Sequence, residues 1–151
     1  MSVVTGLQLA MLRLVIFVSV ACVVVNAWAT GMVSQQCMEC ICKKENKGNC
    51  RDQGCVMDKG SLSCGFFQIK ENYWIDCGRP GAGWKTCASD RQCASQCVQT
   101  YMAEWIGKAG CSRTCESYAR AHNGGPQGCK RSSTIGYWND LKKQPGCASV
   151  K

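Results

Sequence analysis

The feature that most limits the fold of this chain is its cysteine content. The 151 residues include 15 cysteines, and all of them except Cys22 lie beyond residue 30. The other 14 are an even set, enough for seven disulfide bonds. Short chains that cannot bury a large core are commonly stabilised by such bonds. The sequence therefore predicts a small disulfide-rich domain, and it leaves the pairing of the cysteines open.

The first 29 residues have the composition of a secretory leader. Arg13 is their only charged residue, and residues 14–26 are almost all apolar. Ala27-Trp28-Ala29 then matches the small-x-small pattern of a signal peptidase site. The apolar run is too short for a comfortable transmembrane helix. We therefore predict a signal peptide at residues 1–29, no stable membrane insertion, and one secreted, extracellular domain at residues 30–151.

Two cysteine spacings have a second interpretation. Cys37-x2-Cys40 and Cys93-x3-Cys97 also resemble zinc-ligand spacings. A secreted chain meets an oxidising environment, which favours disulfides over zinc thiolates. We therefore expect no metal and no other cofactor.

The formal net charge of +8 favours an anionic partner. Positive charge draws proteins to cell walls, membrane surfaces or nucleic acid. The basic residues are scattered along the chain and no nucleic-acid-binding motif is present. The sequence therefore favours the bacterial cell wall over nucleic acid, and the alternative is a charge that only keeps a secreted protein soluble.

A first carboxylate, Glu45, stands at the end of a predicted helix. Ser34 is a suitable N-cap, and Cys37, Cys40 and Ile41 follow at helical spacing. The helix would run to about Glu45, where the negative end of the helix dipole and partial burial both disfavour the ionised carboxylate. These are the surroundings that a general acid needs.

A second carboxylate, Asp58, ends a predicted strand at residues 55–58. A turn at residues 59–61 leads to a return strand at residues 62–69. Gly60 or Ser61 would satisfy the carboxylate and keep it ionised. One protonated and one ionised acid are what glycoside hydrolysis requires.

Two alternatives to this pair remain open. Glu39 is a rival to Glu45, although it lies on another face of the same helix. From spacing alone, two solvated surface carboxylates are also a sufficient explanation for Glu45 and Asp58.

The rest of the chain predicts a surface loop and three more helices. A capping box at Ser89 and Gln92 would open a core helix whose apolar positions continue to Trp105. The loop would span residues 77–87, and the later helices residues 115–122 and 134–142. The expected fold class is α+β, a small disulfide-rich domain with several helices and a short β-hairpin.

Several segments together resemble one known family. They read CxxCIC, MDxGSLSCGxFQIK, YWIDCGRPG and HNGGPxGC, and they run from about Val33 to Cys147. They are similar to invertebrate-type (i-type) lysozymes, the family that includes the destabilases. The resemblance implies a lysozyme-like fold, with Glu45 as proton donor and Asp58 as nucleophile or stabiliser. The substrate would be the β-1,4 bond between N-acetylmuramic acid and N-acetylglucosamine in bacterial peptidoglycan.

The same resemblance implies a set of substrate contacts in three segments. Flat aromatic rings suit sugar faces, and amides suit N-acetyl groups. Ordinary packing is the alternative for Tyr73, Trp74 and His122. The predicted contacts are Gln68, Ile69, Lys70, Tyr73, Trp74, Tyr101, His122, Asn123 and Gly124.

Two other functions compete with glycan cleavage. The loop between Glu45 and Cys50 is longer than the family's Glu-Ser-x-Cys stretch, and a shift of about 1 Å at Glu45 would cost roughly a hundredfold in rate. The protein would then be a non-catalytic cationic antibacterial binder. Part of the family hydrolyses glutamyl-lysine isopeptide bonds, which would here use Ser61, Lys70 and His122.

Overall fold

The computed structural model describes residues 27–151. Residues 1–26 of the predicted leader lie outside this part, so cleavage after Ala29 stays a prediction. The described chain contains six α-helices, two strands and two 3-10 turns. In chain order they are α1 (Gln35–Glu45), β1 (Cys55–Asp58), β2 (Ser61–Cys64), α2 (Glu71–Asp76), α3 (Trp84–Ser89), α4 (Arg91–Lys108), α5 (Cys115–Gly124), the 3-10 turns Gly128–Lys130 and Ser132–Thr134, and α6 (Ile135–Lys142).

Helix α1 begins and ends where the sequence predicts. The Ser34 hydroxyl accepts a hydrogen bond from the Cys37 N–H at 3.2 Å. Met38 and Ile41 are fully buried on the inner face of the helix. The helix ends at Glu45, so the side chain of this residue projects from the last turn.

The cap of α4 differs from the predicted capping box. Asp90, not Ser89, caps this helix by accepting from the Cys93 N–H at 2.7 Å. Ser89 is instead the last residue of α3, a short helix inside and beyond the predicted loop at residues 77–87. Helix α2 was not predicted either. Six residues hold less than two turns, which is too few for a periodic pattern to show.

The β-hairpin is antiparallel and pairs Cys55 with Cys64 and Asp58 with Ser61. Its second strand ends at Cys64, earlier than the predicted residue 69. Gly65 turns the chain at a φ of +75°, and a side chain here would collide with the Ala88 carbonyl. Only Ile69 pairs again, in an isolated bridge to Cys64. The turn therefore brings residues 66–70 back beside the hairpin.

All 14 cysteines in the described part are paired. This pairing is incompatible with the zinc interpretation, because Cys37, Cys40, Cys93 and Cys97 are each bonded to a different cysteine outside the two predicted motifs. Such a dense set of bonds is typical of extracellular proteins. The pairs are Cys37–Cys115, Cys40–Cys147, Cys42–Cys50, Cys55–Cys64, Cys77–Cys97, Cys87–Cys93 and Cys111–Cys129.

The core lies between α1, α4, α5 and α6. Ile41, Phe67, Met102, Ile106 and Leu141 are each at most 1% exposed within it. The hairpin packs beside this helical body, so the predicted α+β class is confirmed. Between residues 27 and 151, no helix has the length and apolarity that a membrane crossing requires.

Candidate active site

A cleft of roughly 470 Å³ opens where the end of α1, the hairpin, α2 and the end of α5 meet. Most of the predicted site residues lie on its walls. Ile69 is buried in the core, and Ser61, Trp74 and Gly124 are not part of the lining. The lining consists of Glu45, Lys47, Gln53, Val56, Asp58, Ser63, Gln68, Lys70, Asn72, Tyr73, Asp76, Tyr101, His122, Asn123, Gly125 and Pro126.

Glu45 is enclosed on one side of this cleft. Its side chain is 19% exposed. The Tyr137 hydroxyl of α6 donates a hydrogen bond to Glu45 Oε1 at 2.6 Å, and Gln53 Nε2 donates to the Glu45 backbone carbonyl at 2.9 Å. The rival acid Glu39 lies outside the cleft and faces Lys43 and Arg91, at 3.7 and 3.8 Å.

His122 lies against Glu45 with a side chain that is only 4% exposed. Its Nε2 is 2.9 Å from the Phe67 carbonyl oxygen, which can only accept, so Nε2 carries the proton. Nδ1 then faces the Tyr73 hydroxyl at 3.4 Å. Burial lowers the pKa of His122 against an opposing effect of Glu45. The imidazole ring is therefore neutral at pH 7 and lies beside the Glu45 carboxyl group.

The long loop after Glu45 is fixed at several points. The Asn46 side-chain amide donates to the Cys42 and Phe66 carbonyls at 2.8 and 2.7 Å, and Asn46 is 4% exposed. The Cys42–Cys50 disulfide closes the loop. Lys47 adopts a left-handed φ of +55° and lines the cleft. The loop thus leaves Glu45 on the cleft wall and adds a cation next to it.

Asp58 has more exposed surroundings. Its side chain is 50% exposed, and Lys70 Nζ lies 2.9 Å from Asp58 Oδ2. The same ammonium donates to the Ser61 hydroxyl at 2.9 Å and to the Asp58 carbonyl at 3.0 Å. Asp58 therefore forms an ion pair with Lys70 at the exposed edge of the cleft.

Two stacked tyrosines form one wall of the cleft. The rings of Tyr73 and Tyr101 are 3.8 Å apart and nearly parallel, at 14°. Burial, followed by the mutual effect of the two rings, raises the pKa of Tyr73 well above 10. Burial also raises the pKa of Tyr101. Both hydroxyls therefore stay protonated, and the Tyr73 O–H can donate to His122 Nδ1.

Some functional candidates had no signal in the sequence. Tyr137 contacts Glu45 across 92 positions of the chain, which no local pattern encodes. Asp76 and Asn72 reach the cleft from α2, the helix that was not predicted. Lys47 also lines the cleft. Its place on the cleft wall depends on the backbone of the loop.

Comparisons with known proteins show the family of this chain. The family model described as Destabilase matches residues 34–144. The chain belongs to the destabilase family. Its relatives include a lysozyme of Meretrix lusoria, 61% identical over 124 residues, which are 82% of this chain and 100% of that protein. An invertebrate-type lysozyme of Ruditapes philippinarum is 56% identical over 124 residues, covering 82% and 90%.

A solved structure of a family member has the same fold. The crystal structure of Tapes japonica lysozyme superposes with a TM-score of 0.79 at 56% identity. The match covers 82% of this chain and 99% of that one. The family resemblance of the sequence is therefore confirmed over nearly the whole described domain.

Proposed function

We propose that this protein is a lysozyme, a glycoside hydrolase that cleaves the β-1,4 bond between N-acetylmuramic acid and N-acetylglucosamine in peptidoglycan. The observation that carries the proposal is one cleft with two carboxylates in different surroundings. Glu45 is 19% exposed and Asp58 is 50% exposed. Relatives that are 56–61% identical over most of the chain are named lysozymes.

Glu45 acts as the proton donor to the leaving oxygen. It stands at the C-terminal end of α1, against a neutral His122, so no cation of the described residues forms an ion pair with it at pH 7. Its low exposure keeps the carboxyl on the cleft wall and largely out of bulk solvent, where it can pass its proton to the leaving oxygen.

Asp58 acts as the ionised partner. The Lys70 ammonium balances its charge before substrate binds, and its exposure leaves it open to the cleft. As positive charge develops at the sugar, the carboxylate stabilises it or attacks the anomeric carbon. Tyr73, backed by the buried Tyr101, offers aromatic surface, and Gln68 and Asn123 offer amides for the sugar N-acetyl groups.

The setting that we propose is extracellular and antibacterial. Seven disulfides fit an oxidising compartment, and the formal charge of +8 draws the enzyme to anionic cell walls. The secreted enzyme would then act on bacterial peptidoglycan, either in defence or in digestion.

The test is clearing of a suspension of Gram-positive cell walls. Glu45→Gln removes the proton donor and lowers the clearing rate by at least about a hundredfold. Glu39→Gln is a matched control, because it makes the same change on the same helix outside the cleft. A Glu45→Gln variant that clears like wild type would show that the assignment is wrong. Bacterial killing without any clearing would favour the non-catalytic binder.

A second activity has one supporting observation, the 2.9 Å contact between Lys70 Nζ and the Ser61 hydroxyl. A serine–lysine isopeptidase needs this contact, but it also needs a lysine that accepts a proton. Here the ammonium is paired with Asp58, and His122 faces Phe67 and Tyr73. Cleavage of a glutamyl-lysine substrate by wild type, lost in Ser61→Ala, would establish this activity.

A further inference from the structure

The two oxygens of Glu45 have different surroundings. Oε1 accepts from the Tyr137 hydroxyl at 2.6 Å, and His122 Nε2 lies 3.7 Å from the same oxygen. Residues 27–151 make no hydrogen bond to Oε2. A carboxyl group has one proton to donate, so this asymmetry bears on which oxygen carries it.

Tyr137 keeps its own proton in this contact. Burial raises the pKa of its hydroxyl well above 10, and the nearby Glu45 raises it further. The hydroxyl therefore remains a donor at every pH at which the enzyme would work. Oε1 accepts this bond whether Glu45 is ionised or protonated, because a protonated carboxyl still has one carbonyl oxygen.

We propose that Tyr137 is a positioning residue that holds Glu45 Oε1 as an acceptor and thereby places the transferable proton on Oε2. The inference rests on the proposed function, since it concerns the acid of the same reaction. His122 supports the arrangement from the same side, because its Nε2–H is already donated to Phe67. The Tyr137 ring is in turn held under the Lys44 ammonium, 5.3 Å from the ring centre.

Several titratable groups face Glu45 and would shape its pH dependence together. Tyr137 comes from α6, His122 from α5, Tyr73 from α2 and Asp58 from the hairpin, and Lys44 and Lys47 are chain neighbours. Of these, only Tyr137 makes a hydrogen bond to the carboxylate. Removing its hydroxyl therefore isolates one contact and leaves the other charges in place.

The experiment is the pH profile of kcat and KM for Tyr137→Phe on a soluble peptidoglycan fragment. A hydrogen bond to a carboxylate favours the ionised form. The basic limb of the kcat profile should therefore move up by about one pH unit when the bond is lost. We expect kcat at its optimum to fall about tenfold because the proton is no longer confined to Oε2, with KM changed less than about twofold.

Tyr118→Phe is the matched control, since Tyr118 is also largely buried but lies in α5 and is not part of the cleft lining. A basic limb and a kcat that do not move in Tyr137→Phe would overturn the inference. If Glu45→Gln is inactive and Tyr137→Phe has the kcat and pH profile of wild type, only this inference is wrong and the proposed function stands. An active Glu45→Gln removes the proposed function itself.

A second variant, which retains the hydroxyl, separates the effect of the hydrogen bond from a folding defect in Tyr137→Phe. Site-specific 3-fluorotyrosine at position 137 makes the phenol a stronger donor and keeps its packing. The basic limb should then move to lower pH, opposite to its shift in Tyr137→Phe. A shift in the same direction, or none, would overturn the inference.

The N-terminal segment carries a second, independent inference. Trp28 is 3% exposed, and its ring packs 4.9 Å from Phe67 and 3.7 Å from the Arg91 guanidinium. The Trp28 N–H donates to Gln35 Oε1 at 2.7 Å, and Gln35 Nε2 donates back to the Trp28 carbonyl at 2.9 Å. Trp28 is therefore built into the domain.

Ala29 is equally integrated. Its N–H donates to the Ser95 hydroxyl at 2.8 Å, and its carbonyl accepts from Gln99 Nε2 at 3.0 Å. Cleavage after Ala29 would leave two buried side chains of α4 without these partners, which is costly. Ala27, by contrast, is exposed, and its carbonyl accepts a hydrogen bond from the Gln92 side chain.

We infer that the mature chain begins at Trp28, two residues before the start predicted from the small-x-small pattern. Val25-Asn26-Ala27 offers signal peptidase aliphatic and small residues at the same spacing. Water would hydrolyse the Ala27–Trp28 bond, leaving a carboxylate on Ala27 and an amine on Trp28. The new amine remains a donor to Gln35.

Intact mass and N-terminal sequencing of the full chain secreted from eukaryotic cells test this inference. We expect Trp28 as the first residue, and a chain that begins at Thr30 would overturn it. Thermal unfolding of refolded chains 28–151 and 30–151 is the second test. The shorter chain should unfold at least about 5 °C lower, and equal Tm values would remove the structural basis of the inference.

Discussion

The two walls of the cleft hold their acids in different ways. Glu45 depends on partners from distant segments, since Tyr137 and His122 come from α6 and α5. Asp58 depends on Lys70, only 12 positions along the chain. The Glu45 wall is buried and the Asp58 wall is exposed. Changes on the Glu45 side should therefore have larger effects on the whole molecule.

The largest stability difference is expected at Asn46, which fixes the Glu45 wall. Asn46→Ala removes two hydrogen bonds to the buried Cys42 and Phe66 carbonyls, and we expect it to lower the free energy of unfolding by about 1–3 kcal/mol. Guanidinium titration measures the change. Asn49→Ala in the same loop is the control. Because Asn49 is exposed, this substitution should lower the free energy of unfolding by less than about 0.5 kcal/mol.

A pH-dependent effect is expected at His122, on the same wall. Burial holds its pKa below the ordinary value of 6.5. Below pH 6.5 the unfolded chain therefore binds a proton that the folded protein does not. The free energy of unfolding should fall with decreasing pH by up to about 1.4 kcal/mol per unit, until the folded pKa is reached.

His122→Gln removes the titrating group. The free energies of unfolding of this variant and of wild type, measured from pH 7.5 to 5, therefore differ by the contribution of the histidine. The difference between the two proteins should change in favour of the variant as the pH falls. Parallel curves for both proteins would contradict a buried neutral ring and weaken the contrast between the walls.

The smallest effect on stability is expected at Lys70, on the exposed wall. Lys70 and Asp58 have side chains that are 38% and 50% exposed, and ion pairs in such surroundings contribute about 0–1 kcal/mol. Lys70→Gln should therefore shift the guanidinium midpoint little, close to the control Lys59→Gln. If Lys70→Gln lowered the free energy of unfolding as much as Asn46→Ala, the two walls would contribute equally to stability.

Local patterns were enough for much of the secondary structure and for the positions of Glu45 and Asp58 within it. Ser34 and the apolar spacing after it predicted α1 to its last residue, and the hairpin was placed with Asp58 at the end of its first strand. These elements are set by capping and by side-chain periodicity, which lie within a few residues. The short helices α2 and α3 were not predicted, because a helix of fewer than two turns has no periodic pattern of apolar residues.

The sequence by itself determined that the chain is a cysteine-stapled α+β domain with the motifs of its family, because composition and local spacing are properties of the chain alone. Only the tertiary structure decided which cysteines pair, that Tyr137 reaches Glu45 across 92 positions, and that Trp28 belongs to the core. These contacts depend on how α1, α4, α5 and α6 pack, and burial acts on side chains that no local pattern brings together.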